Sequence, residues 1–147
     1  GKGGVTVPVK DIAARSDCIG LYFSAHWCPP CKAFTPHLAS VYTKLREAGR
    51  KFEIIFVSSD QSMAEYEGYF ASMPWLSVPY SGTRRNVLSS RFGISGIPSL
   101  VLLDNTGAVL TDDGRAAVSQ DPSGAQYPWR GFKGPPMGGA AGMLRML

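Results

Sequence analysis

The apolar positions of the chain fall into two short continuous runs with a helical pattern between them. Residues 18–24 and 52–57 are nearly all apolar and rich in aromatic and β-branched side chains, which is typical of buried strands. Between the runs, apolar residues recur every three or four positions and predict a helix over residues 29–48. These positions are Phe34, Leu38, Val41 and Leu45. Since parallel strands need a crossover connection, the three elements predict a β-α-β unit.

The second half of the chain adds helices and a hairpin to this unit. Residues 62–71 and 83–91 are predicted helices. Residues 99–103 and 108–111 are predicted strands, and the turn sequence Asp-Asn-Thr-Gly at 104–107 predicts that they form an antiparallel hairpin. The pattern therefore predicts an α/β fold with a mixed central sheet and helices on both faces.

The length of the chain and its two ends suit a single domain. The chain has 147 residues, and domains of roughly 100–150 residues are the commonest. We expect this domain to occupy residues 1–130, and residues 131–147, rich in glycine and proline, to be a flexible tail or linker. Because the sequence starts with Gly1 rather than Met, we expect it to be part of a longer protein. No apolar run approaches the ~20 residues of a membrane span, so we expect no membrane partner.

The charge balance gives no sign of a nucleic-acid partner. The chain carries 15 Lys and Arg against 11 Asp and Glu, a net charge of +4. Lys2, Lys133 and Arg145 lie in the glycine-rich ends, which leaves 12 basic and 11 acidic residues between them. A nucleic-acid binder would gather its basic residues on one face or stripe. We therefore expect no nucleic acid to bind here.

The chemistry of the chain is concentrated in Trp27-Cys28-Pro29-Pro30-Cys31, where the first strand meets the long helix. Unpaired N–H groups at a helix start favour negative charge, so Cys28 is predicted to be a thiolate nucleophile. Pro29 and Pro30 suit a first helical turn because they lack N–H groups. Cys31 lies one turn along, less exposed and close enough to form a disulfide with Cys28. The pattern predicts attack on a disulfide by Cys28 and resolution by Cys31.

A zinc site is the main alternative for this cysteine pair. Zinc needs about four ligands, and only Cys18, His26 and His37 are available besides the pair. A Cys-x-x-Cys beside a β-α-β unit favours redox chemistry, so we expect neither a metal nor a cofactor. Cys18 starts a buried strand and is predicted to be a core residue, with a regulatory or dimer-forming thiol as the alternative.

The sequence predicts the local backbone conformation at two prolines. Pro36 lies inside the predicted helix and should kink it. Pro98 follows Ile97 at the entry to a strand, where proline is tolerated. Since only about 5–6% of X–Pro bonds in folded proteins are cis, the residues by themselves favour a trans bond before Pro98.

Several blocks of the sequence, in order and at consistent spacing, resemble the nucleoredoxin and tryparedoxin group of the thioredoxin superfamily. The blocks are YFSAHWCPPC at 22–31, FTP at 34–36, FEIIFVSSD at 52–60, MPW at 73–75 with Pro79 and Tyr80, GIPS at 96–99, and Asp121-Pro122 leading to YPW at 127–129. Together they cover roughly residues 5–130, which makes the resemblance far more specific than Cys-x-x-Cys alone.

This resemblance implies a thioredoxin-like fold and a protein-disulfide reductase. It places Pro98 in cis facing the cysteine pair, where the neighbouring backbone pairs with an extended substrate segment. It implies the partners of such an enzyme, disulfide-containing proteins and an upstream reductant, and a monomer in the cytoplasm, the nucleus or both. The catalytic residues would be Cys28 and Cys31, and the substrate-binding residues Trp27, Pro29, Pro30, Ile97 and Pro98.

Two positions depart from related patterns. Thioredoxin proper has a buried Asp six residues before the first cysteine, and this chain has Tyr22 there. The acid that usually assists proton transfer during resolution is therefore missing. Tryparedoxin has a Trp before the Asp that matches Asp60, and this chain has Ser59. That difference favours nucleoredoxin, in which several such domains usually occur in one chain.

Five further residues near these motifs have open roles. His26 either tunes the Cys28 thiolate or faces solvent. His37 is expected on a helix surface. Trp75 and Trp129 are expected to pack under loops, with a place at the rim of the site as the alternative for Trp75. Asp60 is expected to cap the helix that follows it.

Two other functions remain open alongside the reductase. The same fold can act as a redox-sensitive adaptor that holds a partner when reduced and releases it when oxidised. A thiol peroxidase is less favoured, because the Thr and Pro that usually precede a peroxidatic cysteine are missing around Cys28.

Overall fold

The structure, a computed structural model, describes residues 7–133 and contains one five-stranded sheet with helices on both of its faces. The strands are β1 Cys18–Ser24, β2 Phe52–Ser58, β3 Leu76–Ser77, β4 Ser99–Asp104 and β5 Val109–Thr111. The helices are α1 Val9–Ala14, α2 Pro29–Glu47, α3 Met63–Phe70, α4 Gly82–Arg91 and α5 Gly114–Ser119. These elements confirm the predicted α/β fold.

Strand β1 is the centre of the sheet, whose order is β3-β2-β1-β4-β5. It runs parallel to β2, with Cys18 opposite Phe52, and antiparallel to β4, with Phe23 opposite Ser99. All seven residues of β1 are buried, as expected for a strand covered on both faces. Since β1 and β2 are parallel, their carboxyl ends meet at one edge, where α2 begins.

Two apolar clusters fill the space between the sheet and its helices. The larger cluster lies under α2, α3 and α5 and holds most of the aromatic side chains, among them Phe34, Tyr69 and Trp75. The smaller cluster covers the opposite face of the sheet, where Leu88 of α4 packs against residues such as Phe23. Helices therefore cover both faces, as the sequence pattern predicts.

The buried cysteine and tryptophans confirm their predicted packing roles. Cys18 is fully buried in the larger cluster, and burial raises the pKa of its thiol to about 12, with a smaller contribution from Asp17. Trp75 is also buried, with its ring against the edges of Tyr22 and Tyr42, so it does not reach the rim of the site. Trp129 packs in the same cluster.

Three short elements were not predicted, and each has a local reason. Helices α1 and α5 have six residues each, too few to show a helical repeat of apolar positions. Strand β3 has two residues and is defined only by its pairing with β2. Short elements like these depend on tertiary contacts more than on local pattern.

The end of the predicted domain and the start of the predicted tail can be followed only in part. Gly131 N–H donates to Leu110 O at 2.8 Å, and Thr111 Oγ1 donates to Phe132 O at 2.6 Å, so the chain still contacts β5 here. The rest of the predicted tail, residues 134–147, lies outside the described residues, and the domain boundary stays a prediction. Within residues 7–133, no helix is long and apolar enough to cross a membrane.

Substitutions at two glycines, one in a crowded position and one in an open position, provide a test of the described packing. A Cβ on Gly114 would lie 2.7 Å from Leu100 O, whereas a Cβ on Gly68, inside α3, would meet no atom within 4 Å. We expect Gly114→Ala to lower the free energy of unfolding by about 1–3 kcal/mol through overpacking. We expect Gly68→Ala to raise it by about 0.5–1 kcal/mol, because alanine loses less backbone entropy in a helix. Denaturant unfolding measures both, and changes of the same sign would contradict the described packing.

Candidate active site

The cysteine pair lies where β1 ends and α2 begins, as the sequence predicts. Cys28 is the N-cap residue of α2, with an extended backbone (φ −97°, ψ 108°), and Pro29 and Pro30 occupy the first helical positions. The Cys28 carbonyl accepts the Lys32 N–H at 3.1 Å, the first bond of the helix. Cys31 therefore lies one turn along the same helix.

The two thiols differ in exposure, and the pKa of the inner one is raised. Cys28 is 6% exposed, and its Sγ lies 3.8 Å from Ile97 O, to which it donates. Cys31 is fully buried. Burial, followed by the hydrogen bond with Cys28, raises the pKa of Cys31 to about 11, while a hydrogen bond from Ser24 lowers it. The pair thus consists of a thiol with a small exposed area and a fully buried thiol behind it, which stays protonated near pH 7.

The loop opposite the cysteines ends in a cis peptide bond between Ile97 and Pro98. This confirms what the family resemblance implies and shows that the trans bond favoured by the residues alone is wrong. The isomer depends on tertiary packing, which a lone X–Pro pair in the sequence does not reveal. Pro98 is buried, Ile97 is half-buried, and the Ile97 carbonyl faces Cys28. A second cis bond, before Pro128, was not predicted.

Exposed apolar side chains surround Cys28. Trp27 is 49% exposed, and its Nε1 donates to Ser59 O at 3.0 Å, which fixes the indole beside the loop. Pro29 and Pro30, which follow the cysteine in the sequence, are also exposed. The structure thus brings all five predicted substrate-binding residues around Cys28, and their role in binding stays a prediction.

Asp60 holds the loop that precedes Cys28. Its side chain is 1% exposed, and its Oδ1 accepts the His26 N–H at 2.8 Å. Its Oδ2 accepts the Ser58 hydroxyl at 2.7 Å. The expectation that Asp60 caps α3 is wrong, because Ser62 is the cap and accepts the Glu65 N–H. Asp60 instead joins the end of β2 to the end of β1.

Four hydroxyl groups lie beneath Cys31, and only Tyr22 among them was singled out in the sequence. Tyr22 OH lies 2.6 Å from Thr35 Oγ1, which lies 2.7 Å from Tyr69 OH. Tyr69 OH in turn lies 2.8 Å from Ser24 Oγ. The one available signal in the sequence is Tyr22 at the position of the usual acid, since Thr35 and Tyr69 belong to other elements and nothing in the sequence links Ser24 to them.

The two histidines lie beside the site without bonding to its thiols. His26 is exposed, and its ring packs against the edge of Tyr69 at a centroid distance of 5.6 Å. His37 is half-buried on α2, with Nε2 3.2 Å from Val118 O. Within residues 7–133, no cluster of three or more His, Cys, Asp or Glu side chains is arranged to hold a metal ion.

A mixed sheet that presents two cysteines at a helix start, opposite a cis-proline, defines the thioredoxin-like class, whose members are generally thiol–disulfide oxidoreductases. The thioredoxin-like family profile matches residues 16–109 of this chain. The chain belongs to this family, in the group formed by nucleoredoxins and tryparedoxins.

This chain is similar to nucleoredoxin and tryparedoxin in sequence, and to tryparedoxin in structure. Nucleoredoxin of Danio rerio is 48% identical over 118 residues, which are 80% of this chain and 28% of that protein. Tryparedoxin of Trypanosoma brucei brucei is 41% identical over 112 residues, 74% of this chain and 76% of that protein. The crystal structure of native tryparedoxin I from Crithidia fasciculata, 40% identical, superposes with a TM-score of 0.81 and covers 90% of this chain and 91% of its own. The chain spans about a quarter of the length of the nucleoredoxins it matches, for example 26% of the human protein.

Replacing Asp60 tests whether it positions the cysteine loop. We expect Asp60→Ala to lower the free energy of unfolding by about 1–3 kcal/mol, because the His26 N–H and the buried Ser58 hydroxyl lose their acceptor. We also expect slower reaction of Cys28 with a small aromatic disulfide. Asp104→Ala is the control, since Asp104 accepts bonds from Thr106 and Ala108 in the exposed β4–β5 turn. Equal Cys28 reaction rates in the two variants would contradict a positioning role.

Proposed function

We propose that this domain reduces disulfide bonds of other proteins by dithiol–disulfide exchange, with Cys28 as the nucleophile and Cys31 as the resolving thiol. The asymmetry of the pair is the observation that supports this proposal most directly. Cys28 keeps 6% of its surface exposed and lies between exposed apolar neighbours in the sequence, whereas Cys31 is fully buried one turn behind it. A substrate disulfide can therefore react with Cys28 first. Cys31 reacts only afterwards, with the mixed disulfide that Cys28 has formed.

In the first step, the Cys28 thiolate attacks one sulfur of a substrate disulfide. A bond forms between Cys28 and that sulfur, the substrate S–S bond breaks, and the second substrate sulfur leaves as a thiolate that takes a proton from water. The partial positive charge at the start of α2 stabilises the Cys28 thiolate before it attacks.

In the second step, Cys31 loses its proton and attacks Cys28 in the mixed disulfide. The Cys28–Cys31 bond forms, the bond to the substrate breaks, and the substrate sulfur leaves and is protonated. The substrate has gained two electrons and two protons, and the domain has lost them. An upstream dithiol reductant must return them before another turnover.

The surface around Cys28 fits an extended polypeptide. Trp27, Pro29 and Pro30 offer exposed apolar contacts beside Cys28. The Ile97 carbonyl faces the Cys28 sulfur at 3.8 Å, and a substrate N–H can bond to it there. We propose that disulfide-containing proteins bind here to a monomer of this domain, in the reducing cytoplasm or nucleus.

A redox-sensitive adaptor is the second candidate. The nearly half-exposed Trp27 and its proline neighbours form an apolar surface that can hold a partner without chemistry. A pulldown with Cys28→Ser separates the two functions. An adaptor that does not need the thiol would bind the same partners as the wild type.

An insulin-reduction assay with dithiothreitol tests the reductase proposal. We expect activity in the wild type and its loss in Cys28→Ser, because the other thiol of the pair, Cys31, has no exposed surface. In a separate reaction without dithiothreitol, Cys31→Ser should accumulate a mixed disulfide with insulin on a non-reducing gel, since no second thiol remains to release the substrate. Cys18→Ala is the matched control, because Cys18 lies in the core away from the pair, and it should keep the activity.

Either of two results would overturn these assignments. Unchanged insulin reduction in Cys28→Ser would remove Cys28 as the nucleophile. The absence of a trapped adduct in Cys31→Ser would remove Cys31 as the resolving thiol.

A further inference from the structure

The hydroxyl groups beneath Cys31 form one continuous hydrogen-bonded chain from three separate elements. Ser24 and Tyr22 come from β1, Thr35 from α2 and Tyr69 from α3. All four side chains are buried. The chain runs from Ser24 through Tyr69 and Thr35 to Tyr22, with successive oxygens 2.8, 2.7 and 2.6 Å apart. Thr35 also connects this chain of hydroxyl groups to the backbone of α2, because Thr35 Oγ1 donates to Cys31 O at 2.9 Å.

Each hydroxyl has one proton, so the direction of this chain can be counted. In one order, Thr35 gives its proton to Cys31 O, at the shorter of the two hydroxyl contacts of that carbonyl, and accepts from its two tyrosine neighbours. Tyr69 then has no proton left for Ser24 and must accept the Ser24 hydroxyl. In this order the Ser24 proton points away from Cys31, and its oxygen is free to accept the Cys31 thiol proton.

The opposite order needs the rotation of three hydroxyl protons. If Thr35 O–H turns from Cys31 O to Tyr69, and Tyr69 O–H turns from Thr35 to Ser24, then Ser24 can donate to the Cys31 sulfur. Thr35 still accepts from Tyr22, so each pair of neighbouring oxygens keeps one proton and no heavy atom has to move. The first order suits a Cys31 thiol, and the second suits a Cys31 thiolate.

We propose that the Ser24–Tyr69–Thr35 hydroxyl chain supports Cys31 during resolution, in place of a buried carboxylate. Ser24 donates to the sulfur as the thiolate forms, and Tyr69 and Thr35 are positioning residues that allow the reversal. This inference rests on the proposed function, because it concerns the second step of that reaction. Cys31 gives its proton to solvent, attacks Cys28 and forms the Cys28–Cys31 bond as the substrate sulfur leaves.

The other groups around Cys31 leave this task to Ser24. The titratable groups that interact with Cys31 are Cys28 at the start of α2, Tyr22 on β1 and Tyr69 on α3. Burial raises the pKa of both tyrosines, so they stay neutral near pH 7. Within residues 7–133, neither buried carboxylate bonds to Cys31, since Asp60 holds His26 and Ser58, and Glu53 accepts from Tyr42 and Ile54.

In the mixed disulfide, the hydrogen bond from Ser24 has a larger share in setting the pKa of Cys31. Once Cys28 is bonded to a substrate sulfur, it has neither a thiol proton nor a negative charge. The two effects by which Cys28 raises the pKa of Cys31 then disappear. Burial still raises it, and the hydrogen bonds from Ser24 and the Ala25 backbone are what lowers it. The hydroxyl chain thus acts in the state in which Cys31 must ionise.

A single-turnover reaction with dithiobis(nitrobenzoate) separates the two steps. The reduced protein is mixed with one equivalent of this aromatic disulfide at a series of pH values. Attack by Cys28 releases a first coloured nitrothiobenzoate, and attack by Cys31 releases a second. The second rate, plotted against pH, reports the ionisation of Cys31 in the mixed disulfide. The first rate shows that each variant is folded and that its Cys28 is accessible.

We expect Ser24→Ala and Tyr69→Phe to shift the second profile to higher pH by about one unit, which slows release about tenfold near pH 7. The first rate should not change. Thr35→Val should shift the profile in the same direction, and Thr35→Ser, which keeps the hydroxyl, should restore it. Tyr42→Phe is the matched control, because the Tyr42 hydroxyl bonds to Glu53 at 3.1 Å away from the pair.

The failures of this inference and of the proposed function can be told apart. A second profile that is the same in Ser24→Ala, Tyr69→Phe and the wild type would contradict the hydroxyl chain and leave the reductase intact. A wild type that releases only one nitrothiobenzoate would contradict the reductase proposal, and the inference with it.

Discussion

The chemistry of this domain depends on one constraint, the placement of two thiols one helical turn apart with only the first partly accessible to solvent. Strand β1 sets this placement, because it is bonded on both sides and buried along its whole length. It fixes the point at which α2 starts, and with it Cys28 at the N-cap and Cys31 beneath. A flexible start of α2 would expose both thiols and remove the order in which they react.

The surroundings of the pair are fixed by contacts between ends of strands. Asp60 ties the loop after β1 to the end of β2, and the turn before β4 presents the Ile97 carbonyl to Cys28. Neutral hydroxyl groups occupy the buried side of the pair, where thioredoxin proper places a carboxylate. Burial thus keeps Cys31 protonated at rest, and a hydrogen-bonded chain, rather than a charge, is available when it ionises.

The parts of the fold that the sequence predicts are those with strong local patterns. Strand β1, helix α2 and the cysteine pair follow from continuous apolar runs, helical periodicity and a short motif. The role of Asp60 and the joining of Ser24, Thr35 and Tyr69 do not, because these residues meet only after β1, α2 and α3 have packed. The isomer before Pro98 followed from family resemblance and not from the residues alone.

Limited alkylation of the reduced, folded protein tests the central claim most directly. The protein is treated with a small amount of iodoacetamide, and mass spectrometry of its peptides gives the order in which the three cysteines are modified. The account predicts that Cys28 is modified first, and that Cys31 and Cys18 react appreciably only after unfolding. Modification of Cys31 or Cys18 as fast as Cys28 in the folded protein would contradict it.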